Sequence, residues 1–249
     1  MDRSGGIRLG TSGWSYDHWE GVLYPPGLPT ARRREVYVAR FDTVELNASF
    51  YRWPGERPFR RWAELLPEGF TMSVKASRWI THGHRLHDPD GAWARRLDAA
   101  MAALGEHAGI VLLQLPGDLA PTETNRERLR SFLASLSPRL RVAVELRHPD
   151  WHEEETFAVL EEQGAAYVVM SGAHLPTVLR ATADVVYLRW HGPSPDRLYV
   201  GSYSEDELRW WAERILEWRA QGREVWGYFD NDDSGYAVEN CERLRELLG

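Results

Sequence analysis

The strongest constraint on the fold is an alternation of short apolar segments with helical segments along all 249 residues. Strands alternating with helices form right-handed βαβ units, so this order predicts an α/β fold with a parallel sheet. Eight apolar segments have the composition of strands. They are residues 7–14, 43–50, 70–77, 110–115, 141–147, 165–170, 185–191 and 224–230.

Helical patterns occupy the intervals between these segments. A capping box, Ser204-x-x-Glu207, predicts a helix start at residue 205. A weak pattern around 175–183 contains Pro176, which disfavours a helix interior. The other predicted helices are residues 32–41, 58–66, 92–107, 126–136, 153–163, 205–220 and 237–248.

Eight strand–helix units in about 250 residues predict a single (β/α)8 TIM-like barrel over residues 1–249. A doubly wound open sheet is the competing arrangement. The first strand is followed by Gly10-Thr11-Ser12-Gly13-Trp14, which lacks the glycine spacing of a dinucleotide-binding turn. The barrel is therefore the favoured prediction.

Composition limits the classes of function. The net charge of -7 argues against a dedicated nucleic-acid binder but leaves room for a local basic pocket. Cys241, the single cysteine, permits neither an intramolecular disulfide nor a thiolate metal cluster. The first residues lack a signal-peptide pattern, and no apolar run approaches the ~18 residues of a membrane span. A cytoplasmic protein without a membrane partner is expected.

Polar residues come late in several predicted strands, on the face opposite their apolar neighbours. Because alternate residues of a strand share a face, each polar set should point into the barrel. Late positions lie at the carboxyl ends of the strands, where barrel enzymes keep their chemistry. The residues are Glu45 and Asn47, Ser73 and Lys75, Gln114, Glu145 and Arg147, Arg189 and His191, and Tyr228, Asp230 and Asn231.

Lys75 is the only lysine among 30 cationic residues, and the other 29 are arginines. Lysine is a compact ammonium that can lose its proton, whereas arginine is bulky, planar and permanently charged. A site that needs a small cation, a proton donor or a nucleophilic amine could not accept arginine. Chance survival of one lysine is the alternative. We expect Lys75 to lie within ion-pair reach of Glu45 or Glu145.

Longer motifs resemble the YecE-like proteins, also called the domain-of-unknown-function 72 family. They are Gly10-Thr-Ser-Gly-Trp14, Glu45-Leu-Asn-Ala-Ser-Phe-Tyr51, Lys75-Ala-Ser-Arg-Trp-Ile-Thr-His82, Glu145-Leu-Arg-His-Pro-Asp-Trp151, Leu188-Arg-Trp-His-Gly192 and Tyr228-Phe-Asp-Asn-Asp232, followed by Gly235 and Asn240.

This resemblance covers nearly the whole chain and implies a TIM-like barrel, with no established reaction. One departure is Asp230, where the family more often has Asn. The additional carboxylate would either alter the ligand charge preference or pair with an arginine. The matching positions that carry over are Glu45, Asn47, Lys75, Glu145, Arg147, Arg189, His191 and Asn231.

The pocket predicts an enzyme that acts on a small anionic substrate bearing a phosphate or carboxylate. The expected catalytic residues are Glu45, Lys75, Glu145 and His191, suited to acid–base or hydrolytic chemistry. The expected substrate-binding residues are Asn47, Gln114, Arg147, Arg189, Tyr228, Asp230 and Asn231.

Two alternatives stay open: a metal-assisted barrel enzyme of the sugar-isomerase or endonuclease type, and a ligand-binding barrel without turnover. The two glutamates with His191 and Asp230 could hold a divalent cation. Three competing cations, Lys75, Arg147 and Arg189, argue against it. No cofactor is therefore predicted.

Three loops invite further interpretation. The loops 192–203 and 231–235 follow the seventh and eighth strands, where barrels often bind phosphate, although their glycines are also expected simply to turn the chain. His82, His84 and His87 are expected in a solvated loop rather than at a metal.

Overall fold

The computed structural model describes residues 6–249. Every segment expected to form a strand does so, although most strands are shorter than the apolar pattern. The strands are β1 Ile7–Thr11, β2 Thr43–Leu46, β3 Thr71–Lys75, β4 Ala108–Leu115, β5 Val142–Leu146, β6 Ala166–Ser171, β7 Val185–Trp190 and β8 Glu224–Phe229.

Helices separate most of these strands. The capping box at Ser204 is formed in both directions, which confirms the predicted helix start at residue 205. The helices are α1 Thr30–Arg40, α2 Ala48–Tyr51, α3 Glu56–Ala63, α4 Ala92–Leu104, α5 Glu123–Ser135, α6 Glu154–Glu162, α7 Glu205–Ala220 and α8 Tyr236–Leu248.

The predicted helix at 175–183 is wrong, because this segment of the described chain is irregular between β6 and β7. Pro176 explains the difference. It has no backbone N–H to donate, and it disfavours helical dihedrals at the preceding residue, Leu175. Thr182 organises the segment instead: its Oγ1 accepts a hydrogen bond from the Tyr167 backbone N at 2.7 Å and donates to the Ala165 carbonyl at 2.7 Å.

The extension of the second strand to residue 50 is also wrong. β2 ends at Leu46, and Asn47 has helical dihedrals (φ −92°, ψ −21°) that lead directly into α2. The Ser49 hydroxyl explains the early turn, since Oγ lies 3.0 Å from the Leu46 carbonyl and 2.7 Å from the Lys75 carbonyl. Asn47 therefore does not share a strand face with Glu45.

Contacts within the chain divide it into two compact units. The first unit comprises residues 6–45, Val169–Thr177 and Asp184–Gly249. Here β8 pairs in parallel with both β1 and β7. Trp190 of β7 stacks on Phe229 of β8 with ring centroids 4.3 Å apart. Gly227 allows this packing, because a Cβ there would lie 2.5 Å from the Trp190 ring.

The second unit comprises Leu46–Val168 and Val178–Ala183. Its central strand is β4, which pairs in parallel with β3 and β5. The register places Gln114 beside Glu145, so the two predicted site residues lie at the same level near the carboxyl ends of their strands. Every residue of β3 and β5 is buried, as expected for strands covered on both faces.

The strand order β1-β8-β7-β6-β5-β4-β3-β2, with parallel pairing and intervening helices, confirms the predicted (β/α)8 TIM-like barrel fold. The assignment of residues 1–249 to one domain stays a prediction. Within residues 6–249, no helix combines the length and the apolar character needed to cross a bilayer.

Candidate functional site

Glu45 is the centre of a buried polar network in the first unit. Its Oε1 accepts hydrogen bonds from Ser12 Oγ at 2.6 Å and from Arg189 Nη2 at 2.7 Å. Its Oε2 accepts from the Tyr187 hydroxyl at 2.7 Å and from Arg189 Nε at 3.0 Å. Four donors thus meet the four lone-pair positions of one carboxylate.

Asp230 and His191 complete the network, which we call the arginine cluster (Ser12, Glu45, Tyr187, Arg189, His191 and Asp230). Asp230 Oδ2 lies 2.9 Å from Arg189 Nη2 and 3.2 Å from His191 Nδ1. His191 Nε2 lies 3.4 Å from Arg189 Nη1. The carboxylate at 230 therefore pairs with an arginine, one of the two roles expected for it.

Burial decides which groups of the arginine cluster meet solvent. The side chains of Glu45, Arg189 and His191 are fully buried, and the Asp230 side chain is 10% exposed. Burial, followed by the charge on Glu45, raises the pKa of the Tyr187 hydroxyl well above its ordinary value. Tyr187 therefore remains a neutral hydrogen-bond donor to Glu45.

Two other predicted binding residues of the first unit make structural contacts. The Tyr228 hydroxyl lies 2.8 Å from Thr43 Oγ1, deep in the unit. Asn231 Nδ2 donates to the Gly201 carbonyl at 2.9 Å and to Asn240 Oδ1 at 2.8 Å, which ties the loop after β7 to α8. Gly192, at the start of that loop, has φ +97°, a conformation that favours glycine. Gly192 therefore turns the chain, as expected for a loop glycine.

Lys75 ends β3 in the second unit and is 5% exposed. Its Nζ lies 4.3 Å from the centroid of the Phe50 ring, a cation–π contact. The His82 ring, which lies in the loop after β3, has its centroid 5.1 Å from that of the Phe50 ring. One aromatic side chain thus contacts both a buried ammonium and an imidazole.

Glu145, Arg147 and Gln114 extend this group, which we call the lysine cluster (Phe50, Lys75, His82, Gln114, Glu145 and Arg147). Arg147 Nε donates to Glu145 Oε1 at 2.6 Å. Gln114 Nε2 lies 3.5 Å from His82 Nε2. Glu145 is fully buried, whereas the Arg147 side chain is 14% exposed. The predicted contact of Lys75 with Glu45 or Glu145 stays a prediction.

His82 reaches the lysine cluster through an unusual loop. Residues Trp79–Gly83 form one π-helical turn, a feature that is rare and frequent at functional sites. Arg85 and Leu86 follow with φ of 49° and 61°, a conformation that L-residues adopt at a cost in strain. His84 and His87 are exposed as expected, whereas His82 is half-buried, so the solvated-loop prediction is wrong for His82.

Burial lowers the pKa of His82, and the positive charges of Lys75 and then Arg147 and Arg78 lower it further, against an opposing effect of Asp118. His82 therefore favours the neutral form, in which one ring nitrogen can accept a proton. The charges of Lys75 and Arg147 therefore both act on His82, although the three residues come from separate segments of the chain.

A further carboxylate of the first unit, Asp232, lies in the loop after β8. Asp232 Oδ1 accepts from Trp19 Nε1 at 2.5 Å, and Oδ2 lies 3.0 Å from His18 Nε2. Burial raises the pKa of Asp232 to about 6, with a smaller contribution from the charge on Asp230. Its sequence position, two residues after Asp230, gave no sign of this contact with the first loop.

A divalent cation would need free carboxylate and imidazole ligands. In residues 6–249 no group of three or more His, Cys, Asp or Glu side chains is arranged to hold one. Among the residues expected for this role, Glu45 has its lone pairs engaged by Ser12, Tyr187 and Arg189.

Comparison with known proteins identifies the family of this chain and solved structures with a similar fold. The family described as "Protein of unknown function DUF72" matches residues 8–249. The UPF0759 protein YunF of Bacillus subtilis (strain 168) is 28% identical, over 97% of this chain and 94% of YunF.

Solved structures of DUF72 family proteins resemble the chain over nearly its full length. The protein from Thermotoga maritima MSB8 is 28% identical, with a TM-score of 0.87 over 98% of this chain and 99% of that one. The protein from Enterococcus faecalis V583 is 21% identical, with a TM-score of 0.84 over 97% of this chain and 95% of that one. The second likeness concerns the fold alone.

Proposed function

Because this chain belongs to the DUF72 family of proteins of unknown function, its activity must be argued from its side chains, and we propose that it is an enzyme acting on a small anionic substrate. The substrate carries a phosphate or a carboxylate, which binds at the lysine cluster. The cluster follows the carboxyl ends of β3, β4 and β5, the end where barrel enzymes place their active sites.

The observation that carries the proposal is the cationic surrounding of His82. The charges of Lys75, Arg147 and Arg78 all disfavour a proton on this imidazole. Arg78 is exposed, as is Asp118, which opposes it, so water screens both. Lys75 and Glu145 are buried and the Arg147 side chain is 14% exposed, and the formal charges of these three members sum to +1. An anion would neutralise this excess.

Each member of the lysine cluster has a role suited to its chemistry. Arg147, which donates through Nε to Glu145, carries a planar guanidinium of the kind that forms charge-assisted hydrogen bonds with anionic oxygens. Gln114 supplies an amide beside His82. Neutral His82 accepts a proton, and Lys75 donates one, so the pair serves acid–base or hydrolytic chemistry.

The arginine cluster has a different role. Glu45 has no lone pair left for a substrate proton, so we assign it to positioning Arg189 rather than to proton transfer. Arg189 in turn holds Asp230, the member whose carboxylate reaches the surface. His191 contacts Asp230, and we assign it as the proton-transfer group of the first unit.

A thermal-shift titration tests the proposal. Inorganic phosphate, sulfate and sugar phosphates should raise the melting temperature of the wild-type protein, because they bind the native state. Neutral sugars at the same concentrations should leave it unchanged. Lys75→Met should lose most of the phosphate response while folding normally by circular dichroism. A response to neutral sugars with none to anions would refute the anionic substrate.

A further inference from the structure

We infer that the anion site continues into a ring-binding subsite at Tyr51, and that the substrate class is a nucleoside monophosphate, in which a phosphate and a planar base are joined through a sugar. This inference rests on the proposed function, since it takes the lysine cluster as the phosphate subsite. It adds a binding site for a planar ring to the phosphate subsite, and the two together define the chemical class of the ligand.

Tyr51 is an exposed aromatic residue beside a half-buried one. It ends α2 and is 69% exposed, while its neighbour Phe50 is half-buried. The two rings meet at 88° with centroids 5.2 Å apart. In an edge-to-face pair only one ring presents a face to the other. At least one face of the Tyr51 ring therefore stays open for stacking.

Phe50 links this open ring to the lysine cluster. The Phe50 centroid lies 4.3 Å from Lys75 Nζ and 5.2 Å from the Tyr51 centroid. These two distances together put the Tyr51 ring within about 10 Å of the ammonium. A bare phosphate on Lys75 would leave Tyr51 untouched. A phosphate separated from a flat ring by a sugar would meet both.

Trp79 is the other exposed aromatic residue close in sequence to the cluster, and its surroundings differ. It stacks on His84 with centroids 3.4 Å apart and lies 5.5 Å from the Trp93 ring at an interplanar angle of 27°. Both partners take up stacking surface of the indole, so Trp79 packs the loop. Tyr51 is the aromatic residue left available to a ligand.

Base stacking on a tyrosine ring fits a substrate that also binds through charge. Proteins that bind single-stranded nucleic acids use the same combination of cationic groups and aromatic platforms. Here the platform is a single ring, which suits one base rather than a strand. The net charge of -7 agrees with a small nucleotide rather than a polymer as the ligand.

Isothermal titration with four probes tests the inference: inorganic phosphate, ribose 5-phosphate, adenosine monophosphate and adenosine. Adenosine monophosphate should bind the wild-type protein at least about fivefold more tightly than ribose 5-phosphate, the lower range of base–aromatic stacking. Tyr51→Ala should abolish this difference while leaving the affinity for ribose 5-phosphate unchanged. Tyr51→Phe should keep the difference, since the ring remains.

Trp210→Ala is the matched control, because Trp210 is an exposed aromatic residue on α7 and should leave every affinity unchanged. Equal affinities of wild type for adenosine monophosphate and ribose 5-phosphate, with phosphate still bound, would overturn the ring subsite alone. If phosphate and both esters fail to bind, or if adenosine binds as tightly as its monophosphate, the anion site itself is refuted and the ring subsite with it.

Discussion

Arg189 holds Glu45 through two nitrogens, with Nε 3.0 Å from Oε2 and Nη2 2.7 Å from Oε1, and neither side chain reaches solvent. Side-by-side pairing of a guanidinium with a carboxylate is strong and geometrically specific. It also means that neither residue can be removed alone without leaving a buried charge poorly compensated. This ion pair therefore fixes the position of the arginine cluster.

Glu45→Gln should lower the free energy of unfolding by about 3–5 kcal/mol, the usual cost of removing one partner of a buried ion pair. Chemical denaturation of the purified variant measures it. The control is Asp42→Asn, which breaks a half-exposed pair with Arg8 at 3.4 Å and should cost about 1 kcal/mol or less. Equal costs for the two variants would contradict a structural role for the Glu45–Arg189 pair.

Lys75→Arg and Lys75→Ala should both weaken phosphate binding tenfold or more, because each removes a charge-assisted hydrogen bond worth about 1.5–3 kcal/mol. Arginine fails for a steric reason: Lys75 is a buried residue whose Nζ lies 4.3 Å from the centroid of the Phe50 ring, and a planar guanidinium is bulkier than an ammonium. Isothermal titration with inorganic phosphate measures the loss.

Circular dichroism should show that both Lys75 variants keep the wild-type fold. An exposed position gives the control, and Arg61→Ala on α3 should bind phosphate like the wild type. If Lys75→Arg binds phosphate as tightly as the wild type, the single lysine of the chain is an accident of composition.

The His82 pKa should rise when an anion binds. In the free protein burial and then the charges of Lys75 and Arg147 hold it below its ordinary value. Bound phosphate would offset those charges, and Lys75→Met would remove one of them. Nuclear magnetic resonance titration of the histidine ring protons measures both changes, and the exposed His87 reports general salt effects. A His82 titration unmoved by phosphate would place the anion elsewhere.

Asp232→Asn should stabilise the protein at high pH. The folded-state pKa of Asp232 is raised to about 6 by burial, so the folded protein favours the protonated acid and is destabilised as the group ionises. The neutral amide avoids this penalty, which is at most about 3 kcal/mol for a shift of roughly two pH units. The free energy of unfolding of Asp232→Asn should exceed that of the wild type by its largest amount at about pH 8, and the difference should vanish below about pH 4.

An asparagine at position 232 can accept the hydrogen bond from Trp19 Nε1 and donate one to His18 Nε2. The substitution therefore preserves both hydrogen-bonding contacts of Asp232. A pH-independent difference between Asp232→Asn and wild type would show that ionisation of Asp232 does not destabilise the fold.

Strand periodicity predicted the elements that carry the site better than the loops that complete it. The alternation in β5 and β7 predicted Glu145 and Arg189 late in their strands, and each is the second-last residue of its strand. Tyr187 lies two residues before Arg189 in β7 and its hydroxyl donates to Glu45, a role that was not among the predictions. Periodicity thus identifies a face but not the role of each side chain on it.

The positions of His82 and Asn47 were not predicted correctly by strand periodicity. His82 contacts Phe50 and Gln114 from a loop that contains a π-helical turn and, after it, two residues with positive φ, and no repeating pattern encodes such a path. Asn47 is not on its expected face because the strand ends at Leu46, four residues before the predicted end, where the Ser49 hydroxyl bonds the Leu46 carbonyl. Both outcomes depend on single hydrogen bonds or strained dihedrals, which composition and spacing do not reveal.

The position of a bound anion would decide whether the lysine cluster is the substrate site. Crystals soaked with tungstate, a heavy analogue of phosphate, would locate the anion by its anomalous scattering. We expect a peak within hydrogen-bonding distance of Lys75 Nζ or the Arg147 guanidinium in the wild-type protein, and its loss in Lys75→Met. Tungstate bound in ordered sites elsewhere, with none at the lysine cluster, would contradict the anionic-substrate proposal.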